Sequence, residues 1–296
     1  NDSYWTTDAN GKLTTSTESG NWNVKYDPST ATLTLSGATI QGGTNTGSVP
    51  YGAGIYAQCS IGQSVTLTIE LIGTNTITGF YGIFLNAEID ASSYGTNATL
   101  TITGENNGSL GVSGSDHGIY VKSGTGNASL NIKDVAVTSS TTGNSVAGVY
   151  VMSGAKATNS PNISLSVDGG TGSSDGIRFY VGSSQATGAT TSLTITDHAI
   201  VDARNGGIKA SDSSMSDLSD QIKVSSGDGT NGGIVFDGTE GTVYGKVELQ
   251  EDLKIGEGES LTIGNGASLN TGSYEVIVNG GTLDGVDKIT GTVKYA

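Results

Sequence analysis

A glycine followed by isoleucine or valine recurs seven times along the chain, and this repeat constrains the fold more than any other feature. The copies begin at Gly54, Gly82, Gly118, Gly148, Gly176, Gly207 and Gly233. Successive glycines are 26 to 36 residues apart, with a mean spacing close to 30. A period of this length is typical of stacked supersecondary units.

A second, alternating segment lies between these copies: a serine or threonine, a leucine, a polar residue and another aliphatic residue. It begins at Thr32, Thr66, Thr99, Ser129, Ser164, Ser192 and, in a weaker copy, Gln221. Alternation with a period of two indicates a strand that buries one face. Short strands repeated in the same order predict a winding chain, in which each strand pairs in parallel with its copy in the next coil.

We therefore predict an all-β, single-stranded parallel β-helix (β-solenoid) of about eight to ten coils with one long core. Residues 1–26 hold Trp5 and Trp22 and match no repeat, which predicts an N-terminal cap over the open sheet edge. Residues 27–245 form the coils of about 30 residues. Residues 246–296 fall into octads, and three octads make a tighter coil of 24 residues in the same solenoid.

Charge and hydropathy exclude two classes of partner. The net charge is −15, and no lysine or arginine lies between Lys25 and Lys122, which argues against nucleic acid and anionic membranes. No apolar run reaches the roughly 18 residues of a membrane span, so we expect no membrane insertion. Cys59 is the only cysteine and cannot form an internal disulfide. The chain begins at Asn1 without methionine, as expected of a processed, exported protein, and we expect a monomer.

Strand register predicts which side chains point away from the core. In the Gly-Ile-Tyr-Val copies the isoleucine and valine share the inner face, so the residue between them points outward. The first outward column is Tyr56, Phe84, Tyr120, Tyr150, Arg178, Lys209 and Val235, and a second column contains Asn86, Lys122 and Tyr180. Because neighbouring coils lie about 4.8 Å apart, the four aromatic residues would form a stripe of roughly 15 Å.

Such a stripe has the chemistry of a polysaccharide-binding surface. Aromatic faces stack on pyranose rings, neighbouring amides and hydroxyls bond sugar hydroxyls, and Arg178 and Lys209 could pair with uronic carboxylates. The alternative is that the outward rings stack on one another and only stabilise the sheet.

The chain shows no complete catalytic motif, and we predict that it is not an enzyme. The two histidines are isolated in sequence: His117 occupies a tolerant, solvent-exposed turn position and His198 a turn without further zinc ligands. Pectin-degrading enzymes, which share the parallel β-helix, remain an alternative, because carboxylates can converge from different coils. Asp116 with His117, and Asp175, Asp202 and Arg204, are the residues that such an enzyme could use.

Calcium is the only cofactor with any sequence support. Asp8 and Asp228 lie in turns rich in oxygen ligands, but neither turn completes a calcium-binding loop. They are weak candidates, and no other metal or cofactor is expected.

Residues 22–37 (WNVKYDPSTATLTLSG), 118–121 (GIYV) and 259–266 (ESLTIGNG) resemble segments of β-helix surface proteins from gut and cellulolytic Gram-positive bacteria. The resemblance covers nearly the whole chain. It implies a right-handed, pectate-lyase-like β-helix, export to the cell surface or medium, and non-catalytic binding of plant or host polysaccharides, sometimes with calcium. The alternatives are a polysaccharide lyase or hydrolase and a structural adhesin stalk.

Overall fold

In the computed structural model of the protein, strands pair in parallel with strands about 30 residues further along the chain: Leu67 pairs with Leu100, and Leu100 with Leu130. The structure describes residues 2–44, 47, 52–90, 93–142, 147–154, 160–168, 171–174, 176–182, 188–226 and 231–296. The described chain is all-β with long parallel sheets, and it contains no α-helix. Within these residues, neither short helix is long and apolar enough to cross a membrane.

The strands follow one another with short connections. The N-terminal strands are β1 (Ser3–Thr7), β2 (Leu13–Ser16), β3 (Val24–Asp27), β4 (Thr32–Ser36), β5 (Thr39–Gln41), β6 (Ile55–Gln58), β7 (Val65–Asn86), β8 (Glu88–Asp90), β9 (Ser93–Tyr94) and β10 (Ala98–Lys122). The central strands are β11 (Ala128–Lys133), β12 (Ala136–Thr141), β13 (Val149–Ser153), β14 (Asn162–Asp168), β15 (Thr171–Ser174), β16 (Ile177–Val181), β17 (Thr190–Thr196), β18 (Ile200–Ala203), β19 (Ile208–Asp212), β20 (Lys223–Ser225) and β21 (Gly233–Asp237). The C-terminal strands are β22 (Glu240–Tyr244), β23 (Lys246–Glu248), β24 (Leu253–Ile255), β25 (Ser260–Ile263), β26 (Ser268–Val278), β27 (Thr282–Asp284) and β28 (Ile289–Tyr295). Two 3-10 helices cover Ser219–Gln221 and Val286–Lys288.

Three parallel ladders organise the chain up to β21. Ladder A contains β4, the first part of β7 and of β10, β11, β14, β17 and β20. Ladder B contains β5, the middle of β7 and of β10, β12, β15, β18 and β21. Ladder C contains β6, the ends of β7 and β10, β13, β16 and β19. The chain visits A, B and C in turn, so equivalent residues of successive repeats become neighbours.

Ladder A confirms the predicted register in its centre and differs at both ends. Thr66, Thr99, Ser129, Ser164 and Ser192 pair in sequence as predicted. Thr32 instead pairs with Thr68, because β4 emerges from an antiparallel hairpin with β3. Lys223 rather than Gln221 pairs with Ser192, because Gln221 belongs to a 3-10 helix. Both end strands are therefore offset by two residues, which keeps their apolar side chains on the inner face.

Ladder C confirms six of the seven Gly-Ile copies, from Ile55 to Ile208. The glycine that begins each copy lies at the turn just before ladder C, where there is little room for a side chain. A Cβ on Gly82 would collide with Cγ1 of Val112 and lie 2.6 Å from the carbonyl oxygen of Gly118. The neighbouring strands therefore approach so closely that no side chain fits.

The seventh Gly-Ile copy corrects the predicted outward column. Ile234 pairs with Ile200 of ladder B, so Val235 is not the next residue after Lys209. Val235 packs into the first core, whereas Ile234 and Phe236 point into a second core. Strand β21 is apolar on both faces because it forms a wall between the two cores.

The C-terminal strands enclose this second core, which begins where the chain direction reverses. Strand β22 pairs antiparallel with β21, so the chain reverses direction at Gly238. After the reversal, Glu240 pairs in parallel with Ser260 and Leu253 with Val276, offsets of 20 and 23 residues. The expectation of one long core is therefore replaced by two cores, and the repeat is slightly shorter than the expected 24 residues.

Antiparallel strands cover the N-terminal end. Strand β1 pairs with β2 and β3, and β3 pairs with β4. The half-buried Trp5 packs against the first core, while the ring of Trp22 lies 5.7 Å from that of Tyr4. These strands end at Asp27, one residue beyond the expected limit of the cap.

Candidate binding surface on ladder C

The predicted outward column exists as a continuous row on ladder C. Tyr56 pairs with Phe84, Phe84 with Tyr120, and Tyr120 with Tyr150. Tyr150 then pairs with Arg178, and Arg178 with Lys209. The second column is also in register, with Asn86 beside Lys122 and Met152 beside Tyr180.

The middle of the row is closed to solvent, which differs from the open stripe expected from the sequence. Phe84 is 4% exposed and Tyr120 8% exposed. Their rings lie face to face, with centroids 4.6 Å apart and planes 5° from parallel. Because outward rings on neighbouring strands stack along the sheet, the faces that a sugar would need are already occupied.

Two aromatic residues outside the predicted outward columns, Tyr81 and His117, complete this cluster. Tyr81 and His117 pair with each other, each directly before a repeat glycine. The Tyr81 ring lies 4.8 Å from that of Phe84, and the His117 ring lies 4.6 Å from that of Tyr150. The signal that could have identified them is an aromatic ring directly before the repeat glycine in two successive copies.

His117 is buried, so the prediction of a solvent-exposed turn residue is wrong. It is 5% exposed, and its Nδ1 lies 3.1 Å from the carbonyl oxygen of Ala147. A carbonyl only accepts, so Nδ1 carries the hydrogen. Burial among aromatic rings lowers the pKa of His117 below its usual value, since desolvation disfavours the imidazolium ion.

The hydroxyl groups of Tyr120 and Tyr150 remain protonated. Burial raises the pKa of Tyr120 well above its usual value and also raises the pKa of Tyr150. The Tyr120 hydroxyl donates to Sδ of Met152 at 3.0 Å, and the Tyr56 hydroxyl donates to Oε1 of Gln58 at 2.8 Å.

Two of the predicted polar residues are engaged in internal contacts. Asn86 is 3% exposed; its Oδ1 accepts the backbone N–H of Glu88, and its Nδ2 donates to the Tyr56 hydroxyl. Lys122 forms an ion pair with Glu88, with Nζ 3.2 Å from Oε2. These side chains hold neighbouring strands together, and Asn86 in particular cannot reach a ligand.

The accessible part of the row lies toward its C-terminal end. We call Tyr150, Arg178, Tyr180 and Lys209 the basic aromatic patch. Lys209 is exposed, and the other three are partly exposed. The rings of Tyr150 and Tyr180 lie 6.1 Å apart. Within the described part of the chain, no carboxylate lies at ion-pair distance from Arg178 or Lys209.

The residues considered for lyase or calcium chemistry have other roles where they are described. Asp202 Oδ2 lies 2.9 Å from Nη1 of Arg204, whose guanidinium lies 3.7 Å above the Phe236 ring. Oδ1 of Asp8 accepts the backbone N–H groups of Asn10 and Lys12, as in a structural turn. Asp175 and Asp228 lie outside the described residues. Among those described, no three His, Cys, Asp or Glu side chains group as a metal site would require.

Comparison of the chain with models of protein families, with curated proteins and with solved structures finds no match.

Proposed function

We propose that the chain up to β21 winds as a single-stranded, right-handed parallel β-helix, and that the protein binds a uronate-containing polysaccharide without cleaving it. The winding is supported by the order in which the chain visits ladders A, B and C. Ladder A has seven described strands, which gives about seven coils up to β21, and the C-terminal strands form their own parallel turns around the second core.

One observation carries the binding proposal: the register brings Tyr150, Arg178 and Lys209 together on neighbouring strands. Arg178 and Lys209 lie one strand apart and form no ion pair with a described carboxylate, although the charge of Lys209 also acts on the Asp217 carboxylate. The two cations match successive carboxylates of an acidic polysaccharide. Tyr150 and Tyr180 beside them provide apolar ring surface and hydroxyl groups for sugar rings. The positive charges are local in a chain whose net charge is −15.

The negative charge of the whole protein does not prevent such binding. Interactions between exposed charges are screened beyond about 8 Å at physiological ionic strength. Short-range pairing at the basic aromatic patch then decides the affinity. We also propose that the protein is a monomer. It is secreted or attached to the cell surface, where plant or host polysaccharides occur.

A structural stalk is the second candidate, and it is favoured by the buried Phe84–Tyr120 stack. A row whose central rings face one another stabilises the sheet whether or not a ligand binds at its end.

Affinity electrophoresis in gels that contain polygalacturonate tests the proposal. We expect retardation of the wild type and at least a tenfold weaker affinity for the double variant Arg178→Gln, Lys209→Gln. Lys223→Gln is the matched control, because it removes an exposed positive charge from ladder A. Equal retardation of wild type and double variant would contradict the patch, and absence of retardation would favour the stalk. New reducing ends or unsaturated uronates would instead show an enzyme.

A further inference from the structure

A cavity of about 470 Å³ lies at the N-terminal end of the first core, far along the chain from the basic aromatic patch. One wall consists of the antiparallel strands, which contribute Trp5, Leu13 and Tyr26. The opposite wall consists of the first strands of the ladders, including Ile55, Ala57 and Leu67.

The cavity results from the register of β4. Since Thr32 pairs with Thr68, the first three residues of β7, Val65–Leu67, have no partner strand on their N-terminal side among the described residues. In the next repeat the equivalent residues, from Ala98 to Leu100, are paired on both sides. The space that a further strand of ladder A would fill is therefore left between the cap and the first core.

The side chains that line the cavity determine which ligands it can bind. The lining residues, all of them described, include no acidic, basic or histidine side chain. Leu13 is 43% exposed, so part of the apolar lining is accessible from outside. Four lining residues carry polar side-chain groups besides the Trp5 indole N–H: Gln58, Tyr56, Thr66 and Tyr26; the Tyr56 hydroxyl donates to Gln58.

Size and polarity point to a small molecule. Pockets of roughly 300–1,000 Å³ that are mostly apolar, with few polar groups, are typical of small-molecule sites. A charged ligand would lose hydration without gaining a partner in this space. An aliphatic or aromatic molecule with one hydroxyl group loses little favourable hydration on binding, because its polar end can stay at the Gln58 side.

We propose that this cavity is a binding site for a neutral, largely apolar small molecule with a single polar end, such as a long-chain or aromatic alcohol. It is independent of the polysaccharide site, so either site can fail in experiment without the other.

The two tryptophans allow a direct test with N-phenyl-1-naphthylamine, a neutral fluorescent probe. Trp5 lines the cavity, whereas Trp22 does not. In the Trp22→Phe variant, Trp5 is the only tryptophan, and we expect saturable energy transfer from Trp5 to one probe molecule per chain. 1-Decanol should displace the probe at concentrations where decanoate does not. Absence of saturable transfer, or equal displacement by decanoate, would refute the proposal.

Filling the cavity provides the matched comparison. Ala57 lies in the inner column that holds Phe179 in a later repeat, so the sheet accommodates a phenylalanine at this position. Ala57→Phe should weaken probe binding at least tenfold, whereas Ala136→Phe, at an exposed position of β12, should not. Leu33→Phe, in β4, fills the space from a second position in the lining if Ala57→Phe does not fold. Unchanged probe affinity in a folded filled variant, or a dimer that forms through this end and excludes the probe, would overturn the assignment.

Discussion

Phe84 and Tyr120 lie face to face on neighbouring strands of ladder C, with their ring centroids 4.6 Å apart. Both point away from the first core, and both are nevertheless buried. The stack converts the outer face of this ladder into an aromatic cluster, which also contains Tyr81 and His117. Its centre therefore contributes to stability, while ligand access is confined to its end.

Replacing one of the stacked rings with alanine should destabilise the protein as much as a substitution in the core does. Phe84→Ala removes a ring that contacts Tyr56, Tyr81 and Tyr120, and we expect a loss of about 3–5 kcal/mol in the free energy of unfolding. Urea denaturation measures this loss. Lys209→Ala, at the exposed end of the same column, is the control and should change stability by about 0.5 kcal/mol or less. Equal stability of Phe84→Ala and wild type would show that the stack contributes nothing.

Stability should fall at acidic pH partly through His117. Its pKa is lowered in the folded protein, so the folded state favours the neutral imidazole. The stabilisation is present above the usual value of 6.5 and is lost as the pH falls below it toward the lowered pKa, with a slope of at most about 1.4 kcal/mol per pH unit.

The comparison of wild type with His117→Gln isolates this contribution from the titration of carboxylates. We expect the difference in unfolding free energy between the two proteins to shrink from about pH 7.5 to about pH 5. If the unfolding free energies of the two proteins changed equally with pH, burial of His117 would not affect its titration.

Adding a single methyl group at Gly82, at the turn before ladder C, should destabilise the protein because the surrounding atoms leave no room for it. Gly82→Ala places a Cβ against Val112 and the Gly118 carbonyl oxygen, with an expected loss of about 1–3 kcal/mol. Gly111→Ala is the matched control, because the nearest atom to its Cβ, the Asn75 carbonyl oxygen, is 3.9 Å away. Thermal unfolding of both variants tests the difference, and equal midpoints would contradict the steric explanation.

We expect Arg204 to stabilise the junction between the first and the second core. Its Nη2 donates to the Lys254 carbonyl oxygen at 3.0 Å, and its Nε lies 3.3 Å from Oε1 of Glu259 without hydrogen-bond geometry. Arg204→Met leaves Asp202 and Glu259 without their cation, with an expected cost of about 2 kcal/mol.

Hydrogen exchange locates that effect. We expect faster amide exchange in residues 240–296 of Arg204→Met and unchanged exchange in ladder A. Arg204→Lys should not restore protection, because lysine lacks the planar group that stacks on Phe236. Lys254→Ala is the control, since the hydrogen bond from Arg204 goes to the backbone carbonyl oxygen of Lys254, which the substitution keeps. Uniformly faster exchange along the chain would contradict a local role at the junction.

The sequence by itself determined the parallel pairing of the repeats and the direction of most side chains. Thr66 stacks on Thr99, and Tyr120 on Tyr150, because alternation fixes which face is buried and a shift of one residue would expose the whole apolar face. Only the tertiary structure decided that Phe84 and Tyr120 are covered, that Val235 leaves the outward column, and that the chain reverses after Asp237. Exposure depends on which distant side chains pack against a face, and periodicity carries no information about those partners.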